Sequence, residues 1–539
     1  MQNFDYIIAG AGSAGCVLAS RLSQDPNVRV CLLEAGGNDK SPFIQVPTGV
    51  IAIMPTKLHN WAFDTTAQKG LNGRLGYQPR GKALGGSSSI NAMMYARGHK
   101  SDYDHWQSLG NEGWSYKDCL PYFKKSENHE FINDEYHGQG GPLNVAKLIE
   151  PSNLVDCFIA GCESIGVPHN PDINGAEQFG VMQTHVTQKN GERCSAAKAY
   201  LTPHLSRSNL SVITGATSSK VLLKGKKAVG MEYIHKGETK QLFANLEVIL
   251  SAGAFGSPQL LQLSGIGNSD ALSDHGIACQ HELPGVGENL QDHIDLVSSY
   301  RCDSKLDAFG FTPRGIARIT KALPQWFLKR RGKLTSNFAE GIAFVKSDVD
   351  MAVPDLEFVF VVGIVDDHAR HLHLSHGYSN HVTLLRPKSR GSVKLASADP
   401  FAAMSIDPNF FDSEEDMELM IKAWKLQHKM LNSEAFEGIR GQQLYPVDPN
   451  DERAIIEDIR NRADTQYHPV GTCKMGPSSD PMAVVDNELC VHGLQGLRVV
   501  DASIMPSLVG GNTNAPTIMI AEKIAALIIK QRKALKRVS

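Results

Sequence analysis

The chain lacks the features that mark several broad protein classes. Across 539 residues, no apolar run approaches the roughly 20 residues needed to span a bilayer. Neither charge sign dominates: 54 Lys and Arg face 57 Asp and Glu, for a formal net charge of −3. Such a balance offers nothing that would hold nucleic acid. None of the ten cysteines forms a C-x-x-C pair, so a structural zinc site has no support and free thiols are expected. Tryptophan is scarce, at five residues. Internal repeats and low-complexity linkers are missing. The N-terminus, MQNFDYIIAGAG, has no basic region or cleavage site of a signal peptide, so the expected location is cytoplasmic. What remains is an ordinary globular composition, 42% hydrophobic and 21% charged, long enough for several domains.

The most informative stretch comes first. FDYIIAGAGSAGCVLASRL reads as strand, tight turn and helix, with Gly10, Gly12 and Gly15 in G-x-G-x-x-G spacing. The first glycine permits the turn, the second lets backbone approach a pyrophosphate, and the third allows close helix–strand packing. The N–H groups at the start of the helix then face the phosphates. A second strand, VRVCLLEAG, ends in Glu34, 19 residues beyond Gly15 and placed to bind a ribose hydroxyl. These features predict a dinucleotide-binding α/β unit without separating NAD from FAD.

Two more small-residue runs follow. GKALGGSSSINAMMYARG (Gly81 to Gly98) contains consecutive Gly and Ser, whose backbone can converge on an anion or lie against a planar ring. VILSAGAFGSPQLLQLSGIG (Val248 to Gly267) reads as strand, turn and helix, with Pro258 in the first helical turn.

Both runs resemble the signature motifs of the glucose–methanol–choline oxidoreductases. The resemblance continues through LPGVGENLQDH (Leu283 to His293), YHPVGTCKMG (Tyr467 to Gly476) and LRVVDASIMPSLVGGNTNAPTIMIAEK (Leu497 to Lys523), in family order over essentially the whole chain. It implies FAD as cofactor. The holding residues would be Gly10, Gly12, Ser13, Ala14 and Gly15 in the first turn, then Glu34, Ala35 and Trp61. The first signature and its flanks would contribute Arg80, Gly81, Leu84, Gly85, Gly86, Ser87, Asn91, Ala92 and Met93. The backbone near Val221, the pair Ala252 and Gly253, and Tyr467, Asp501, Ala502, Asn512 and Thr513 would complete the set. Some relatives carry a histidine that bonds covalently to the flavin; Ile90 stands there in this chain, so FAD is expected to be non-covalent. The resemblance also implies His468 and Asn512 as the catalytic pair. An imidazole with an ordinary pKa near 6.5 can take an alcohol proton, and an amide can orient the substrate oxygen without competing for that proton.

The implied fold is a Rossmann-like FAD domain (1–152, 205–297 and 462–539) interleaved with an α+β substrate domain on an antiparallel sheet (153–204 and 298–461). Within the family, the chain resembles alkane-pathway primary alcohol dehydrogenases and, next, bacterial choline dehydrogenases. The expected reaction is oxidation of a medium-chain aliphatic primary alcohol to the aldehyde, with electrons passed to a quinone-type acceptor. Choline, a polyol of sorbose type, an oxidase using O2 and a flavin-containing hydroxynitrile lyase are the alternatives.

Two segments stay open. DDHARHLHLSHGYSNH holds five histidines, but their spacings of 3, 2, 3 and 5 repeat no known ligand pattern, so no metal is expected. A solvated loop is the first reading and a cavity-lining loop the second. ITKALPQWFLKRRGKLT (Ile319 to Thr335) and the cationic C-terminal tail read first as solvated charge, and second as a face for peripheral attachment to the inner side of the cytoplasmic membrane. Oligomeric state is not legible.

Overall fold

The computed structural model describes residues 3–538. In chain order, the strands of its two large sheets are β1 (Asn3–Ala9), β2 (Val30–Glu34), β3 (Gly180–Gln183), β4 (Leu210–Thr214), β5 (Ala216–Lys224), β6 (Lys227–His235), β7 (Glu238–Leu250), β8 (Ile294–Cys302), β9 (Ala339–Val345), β10 (Leu356–Val361), β11 (His376–Leu384), β12 (Asp464–Thr465) and β13 (Leu497–Val499). The helices that position the site are α1 (Ser13–Leu22), α2 (Leu154–Ser164), α3 (Gly253–Leu263), α4 (Pro313–Lys329), α5 (Glu414–Leu431) and α6 (Asn514–Val538).

The first sheet has the order β4–β2–β1–β7–β6–β5, with β13 beside β7. Strands β4, β2, β1, β7 and β13 are parallel, and β6 and β5 add an antiparallel extension. VCLLE in β2 is buried throughout, as expected where helices cover both faces of a parallel sheet. The second sheet is antiparallel, in the order β12–β8–β11–β10–β9–β3. Strand alternation divides its side chains between two faces. Phe358, Phe360 and Tyr378 pack with Phe158 of α2 and with Met420 and Trp424 of α5. Val359, Val361 and His381 point the other way and roof a cavity against the first sheet. This is the α/β architecture expected, with the two units interleaved. Strand β8 begins at Ile294 and β12 lies at 464–465, so the second sheet takes edge residues from stretches that the sequence reading assigned to the first unit.

Three local expectations change. Pro258 lies in the middle of α3, not its first turn. The missing proline N–H leaves the Ala254 carbonyl to the Thr472 hydroxyl, which donates to it at 2.6 Å. Ser413 sits at the N-cap of α5 without a side-chain capping bond. The acids Glu414, Glu415 and Asp416 of the first turn favour that end of the helix instead. The segment expected as a solvated cationic loop is mostly the C-terminal half of α4, anchored by buried Trp326. The histidine-rich stretch is only partly a loop, since its last six residues enter buried strand β11. Among the described residues, no helix is long and apolar enough to cross a membrane. The side chains of 535–539, part of the cationic tail, lie outside the described residues.

Candidate active site

His468 is held in place by its backbone and by both ring nitrogens. Its N–H donates to Asp292 Oδ1 at 2.9 Å. The other Asp292 oxygen accepts from Thr465 Oγ1 (2.5 Å) and Gln78 Nε2 (3.0 Å). Burial pushes the Asp292 carboxyl up to about 6, and these donors resist that rise.

The ring tautomers follow from a chain of three contacts. The Leu385 carbonyl can only accept, so His293 Nε2, 3.1 Å away, carries the hydrogen. In the neutral ring, His293 Nδ1 is then an acceptor. It lies 2.9 Å from His468 Nδ1, which must donate. His468 Nε2 is left with a lone pair, toward which Asn512 Nδ2 donates at 3.2 Å. Burial holds His293 down to about 3. Burial, with His293 and Arg80 nearby, holds His468 well below the usual imidazole value. The result is a neutral imidazole with its basic nitrogen fixed in direction. Asn512 Oδ1 is buried and without a hydrogen-bond partner.

His468 and Asn512 line a cavity of about 430 Å3 between the two sheets. Ser13, Ala14, Arg80, Ser87, Asn91, Ala92, Met93, Tyr467, Asp501, Ala502 and Thr513 line the same space. The remaining expected cofactor residues stand behind or beside it. Gly10 has φ +101, and a Cβ there would meet Ser251 O at 2.4 Å. A Cβ on Gly15 would meet Gly10 O at 1.9 Å, so this glycine lets α1 pack on the turn. Gly86, at φ +53, brings the second glycine run against Gly12 Cα. Gly85 and Leu84 are tied by backbone bonds to Ala11 and Gly37, and Gly81 packs against Gly86 and Ser87. The Glu34 carboxylate accepts from Ala11 N (2.9 Å) and Gly36 N (2.7 Å), and Ala35 follows it in the bend. Burial raises Glu34 to about 7, although both N–H donors favour the charged form. Gly253 N donates to Asp501, and Ala252 N to Ser257 Oγ.

Trp61 and Val221 do not line the cavity. Trp61 stacks on Phe63 at 5.5 Å, lies under Lys82 Nζ, and donates its backbone N–H to Arg80 O. It therefore braces the stretch that carries Arg80 and Gly81. Val221 is in β5, with its N–H taken by Ser264 Oγ at 2.8 Å.

These residues fit FAD. Helix α1 has Gly12 at its N-cap with no side-chain capping bond, and Ser13 and Ala14 of its first turn line the cavity. Such an end suits a pyrophosphate. The orphaned Asn512 oxygen and the lone pair of His468 face the same cavity. Ile90 also lines it and offers no nucleophile.

The rest of the lining is less legible from sequence. His368, His371, His373 and His381 all line the cavity, so the second reading of that stretch is the correct one. His368 accepts from Tyr467 Oη at 2.7 Å and meets Asp464 at 3.1 Å, while His381 pairs with Asp295 at 2.5 Å. His376 instead bonds Ala308 O and Thr312 Oγ1. A separate group, Glu127, His129 and His137, has donor atoms close together. His137 there already donates to Glu127 and Asp172 and is pushed up to about 9, which leaves it no lone pair for a metal. His293 and Asp292 end the motif LPGVGENLQDH, but nothing in the sequence ties them to a histidine 175 residues away.

Comparison with known proteins places this geometry in a family. The chain matches the GMC oxidoreductase models over residues 4–295 and 387–521. It is 47% identical over 537 residues to the alcohol dehydrogenase (acceptor) of Pseudomonas putida, covering 98% of this chain and 96% of that one. It is 43% identical to the mitochondrial choline dehydrogenase of Homo sapiens, over 99% of this chain and 91% of that one. Among solved structures, pyridoxine 4-oxidase from Mesorbium loti superposes with a TM-score of 0.88 at 33% identity, covering 97% and 99% of the two chains. A match over more than half its length, with relatives of similar size above 40% identity, makes this protein a member of the GMC oxidoreductases, enzymes that use FAD.

Proposed function

We propose that the protein oxidises a medium-chain aliphatic primary alcohol to its aldehyde. The observation that carries the reading is the fixed lone pair of His468 Nε2 beside the Asn512 amide, in an otherwise largely apolar cavity. The alcohol O–H replaces the Asn512 amide as the donor to His468 Nε2, which takes the proton. Asn512 orients the alcohol oxygen. The glycine turns and the Asn91–Met93 and Asp501–Ala502 stretches would hold FAD, which would supply the hydride-accepting redox chemistry. His293 keeps the base in one tautomer by accepting its other ring hydrogen.

Phe309, Phe338, Val359, Val361, Ile364 and Val365 give the substrate side its apolar wall. This supports an alkyl chain over choline. Asp501 is the one carboxylate in the lining among the described residues, and its oxygens are taken by Gly253, Ser257 and Ser503. A quaternary ammonium would find no free carboxylate in this lining and would depend on its aromatic rings for cation–π contact. The acceptor is proposed to be of quinone type; the Pseudomonas putida relative's name specifies only an acceptor.

The test is anaerobic titration of the flavin absorbance with 1-octanol, choline and sorbitol, followed by reoxidation with a soluble quinone or O2. Bleaching by octanol and faster reoxidation by quinone are expected. No bleaching by any alcohol would overturn the oxidation reading and leave the lyase alternative.

A further inference from the structure

Helix α4 presents an apolar stripe that no part of the described chain covers. Ile316, Thr320, Leu323 and Phe327 follow the i, i+4, i+7, i+11 spacing and share one side of the helix. Ile316 is 56% exposed and Phe327 55%; Leu328, next to the stripe, is 83% exposed. The helix itself is firmly seated. Ala322, Trp326 and Leu334 form a small core with Val46 and Ile319, and Trp326 Nε1 donates to Gly191 O at 2.8 Å. The stripe is therefore a rigid exposed face and not a frayed segment.

Two further observations say what covers it. The first is charge. From Ala308 to Thr335 there are seven Lys or Arg and no Asp or Glu, in a chain whose net charge is −3. Arg330 pairs with Glu192, Lys333 pairs with Asp307, and Arg318 donates to backbone carbonyls. Arg314, Lys321, Lys329 and Arg331 remain exposed, with no ion pair among the described residues. The second is position. Ile319, on the same helix, lines the active-site cavity, as do Phe311 just before the helix and the 63%-exposed Leu372. The 84%-exposed Leu374 stands beside that rim. The cavity thus reaches the surface next to the stripe.

We propose that α4 and the Phe311–Leu372 rim form a docking face for an anionic phospholipid surface. The apolar stripe enters the headgroup–acyl boundary and the four free cations meet lipid phosphates. Docking in this orientation turns the cavity mouth toward the lipid. The proposal does not depend on the alcohol reading, since lipid binding is measured without substrate.

The test is co-sedimentation of the FAD-loaded enzyme with vesicles of phosphatidylglycerol and phosphatidylcholine at 1:1, or of phosphatidylcholine alone. The expected result is binding to the anionic vesicles, release at about 0.5 M salt, and at least tenfold weaker binding for the Leu323→Glu/Phe327→Glu variant. An unchanged flavin spectrum and melting temperature show that the variant is folded. A second variant, Lys321→Glu/Lys329→Glu, keeps the stripe and is expected to lose the preference for phosphatidylglycerol. Three results would each overturn the proposal: failure of the wild type to sediment with anionic vesicles, equal binding to phosphatidylcholine alone, or undiminished binding by the first variant. A dimer that the first variant dissociates, without vesicle binding by the wild type, would make a second copy the occupant.

Discussion

A histidine can act as a base only if the right nitrogen is unprotonated, and here a backbone carbonyl decides which one that is. Leu385 O sets the tautomer of His293, and His293 sets that of His468. His468→Ala is expected to slow anaerobic flavin reduction by about 10²–10⁴-fold, the usual worth of a positioned base. Because burial and His293 hold His468 well below its ordinary value, the acid limb of the pH profile for reduction should lie below pH 6.5. His293→Phe removes one cause of that depression and the acceptor for Nδ1–H. Its acid limb should move up toward 6.5 and kcat should fall with little change in KM. His293→Gln can still accept from His468 and donate to Leu385, and should restore much of the rate. A defect of folding alone would shift neither limb nor rescue.

At the scale of elements, two glycine runs must touch. Gly86 sits at φ +53, and a Cβ there would fall 2.7 Å from Gly12 Cα. Gly86→Ala should therefore push the Gly81–Asn91 run off the α1 turn, and the purified protein should carry much less than one FAD per chain. Near-stoichiometric flavin would show that the approach is not needed. The antiparallel sheet makes a different prediction. Glu357 lies in register with Thr383 and, across β11, with Asp295. It is fully buried, neither carboxyl oxygen has a partner, and burial with Asp295 nearby raises it to about 8 from an ordinary 4.5. Between those values the folded chain holds one more proton than the unfolded chain, so stability is present below pH 4.5 and is lost as pH rises through 8. By pH 9 that loss is on the order of 5 kcal/mol. Glu357→Gln does not titrate, so its melting temperature should gain on the wild type between pH 6 and pH 9. A constant gap would place the carboxyl in contact with water.

At the scale of the whole molecule, the site exists because two sheets from interleaved stretches face each other across one cavity. The first sheet brings the glycine turns and the Asp501–Ala502 stretch, and the second roofs the space with Val359, Val361 and His381. With an apolar wall, each added methylene buries area worth about 0.8 kcal/mol. From 1-butanol to 1-octanol, kcat/KM should rise by up to about fourfold per carbon until the cavity is filled, while choline stays at least a hundredfold below octanol. Steady-state assays with a quinone acceptor would check this, and a flat chain-length series would contradict the apolar reading.

Much of this was legible in the chain itself. Gly10, Gly12 and Gly15 between a strand and a helix, with Glu34 at the end of the next strand, specify a dinucleotide fold because each position answers a local backbone need. The same holds for the Gly81–Asn91 run, whose small residues have no other use in a buried segment. What the sequence could not carry were contacts between distant residues. The pairing of His293 with His468, the seating of Trp61 behind Arg80, and the turn of four histidines into the cavity all depend on how the sheets are stacked. Periodicity and spacing report which way a side chain points within its own element. Only packing decides what it meets there, because register between remote strands is set by the whole core and not by any one motif.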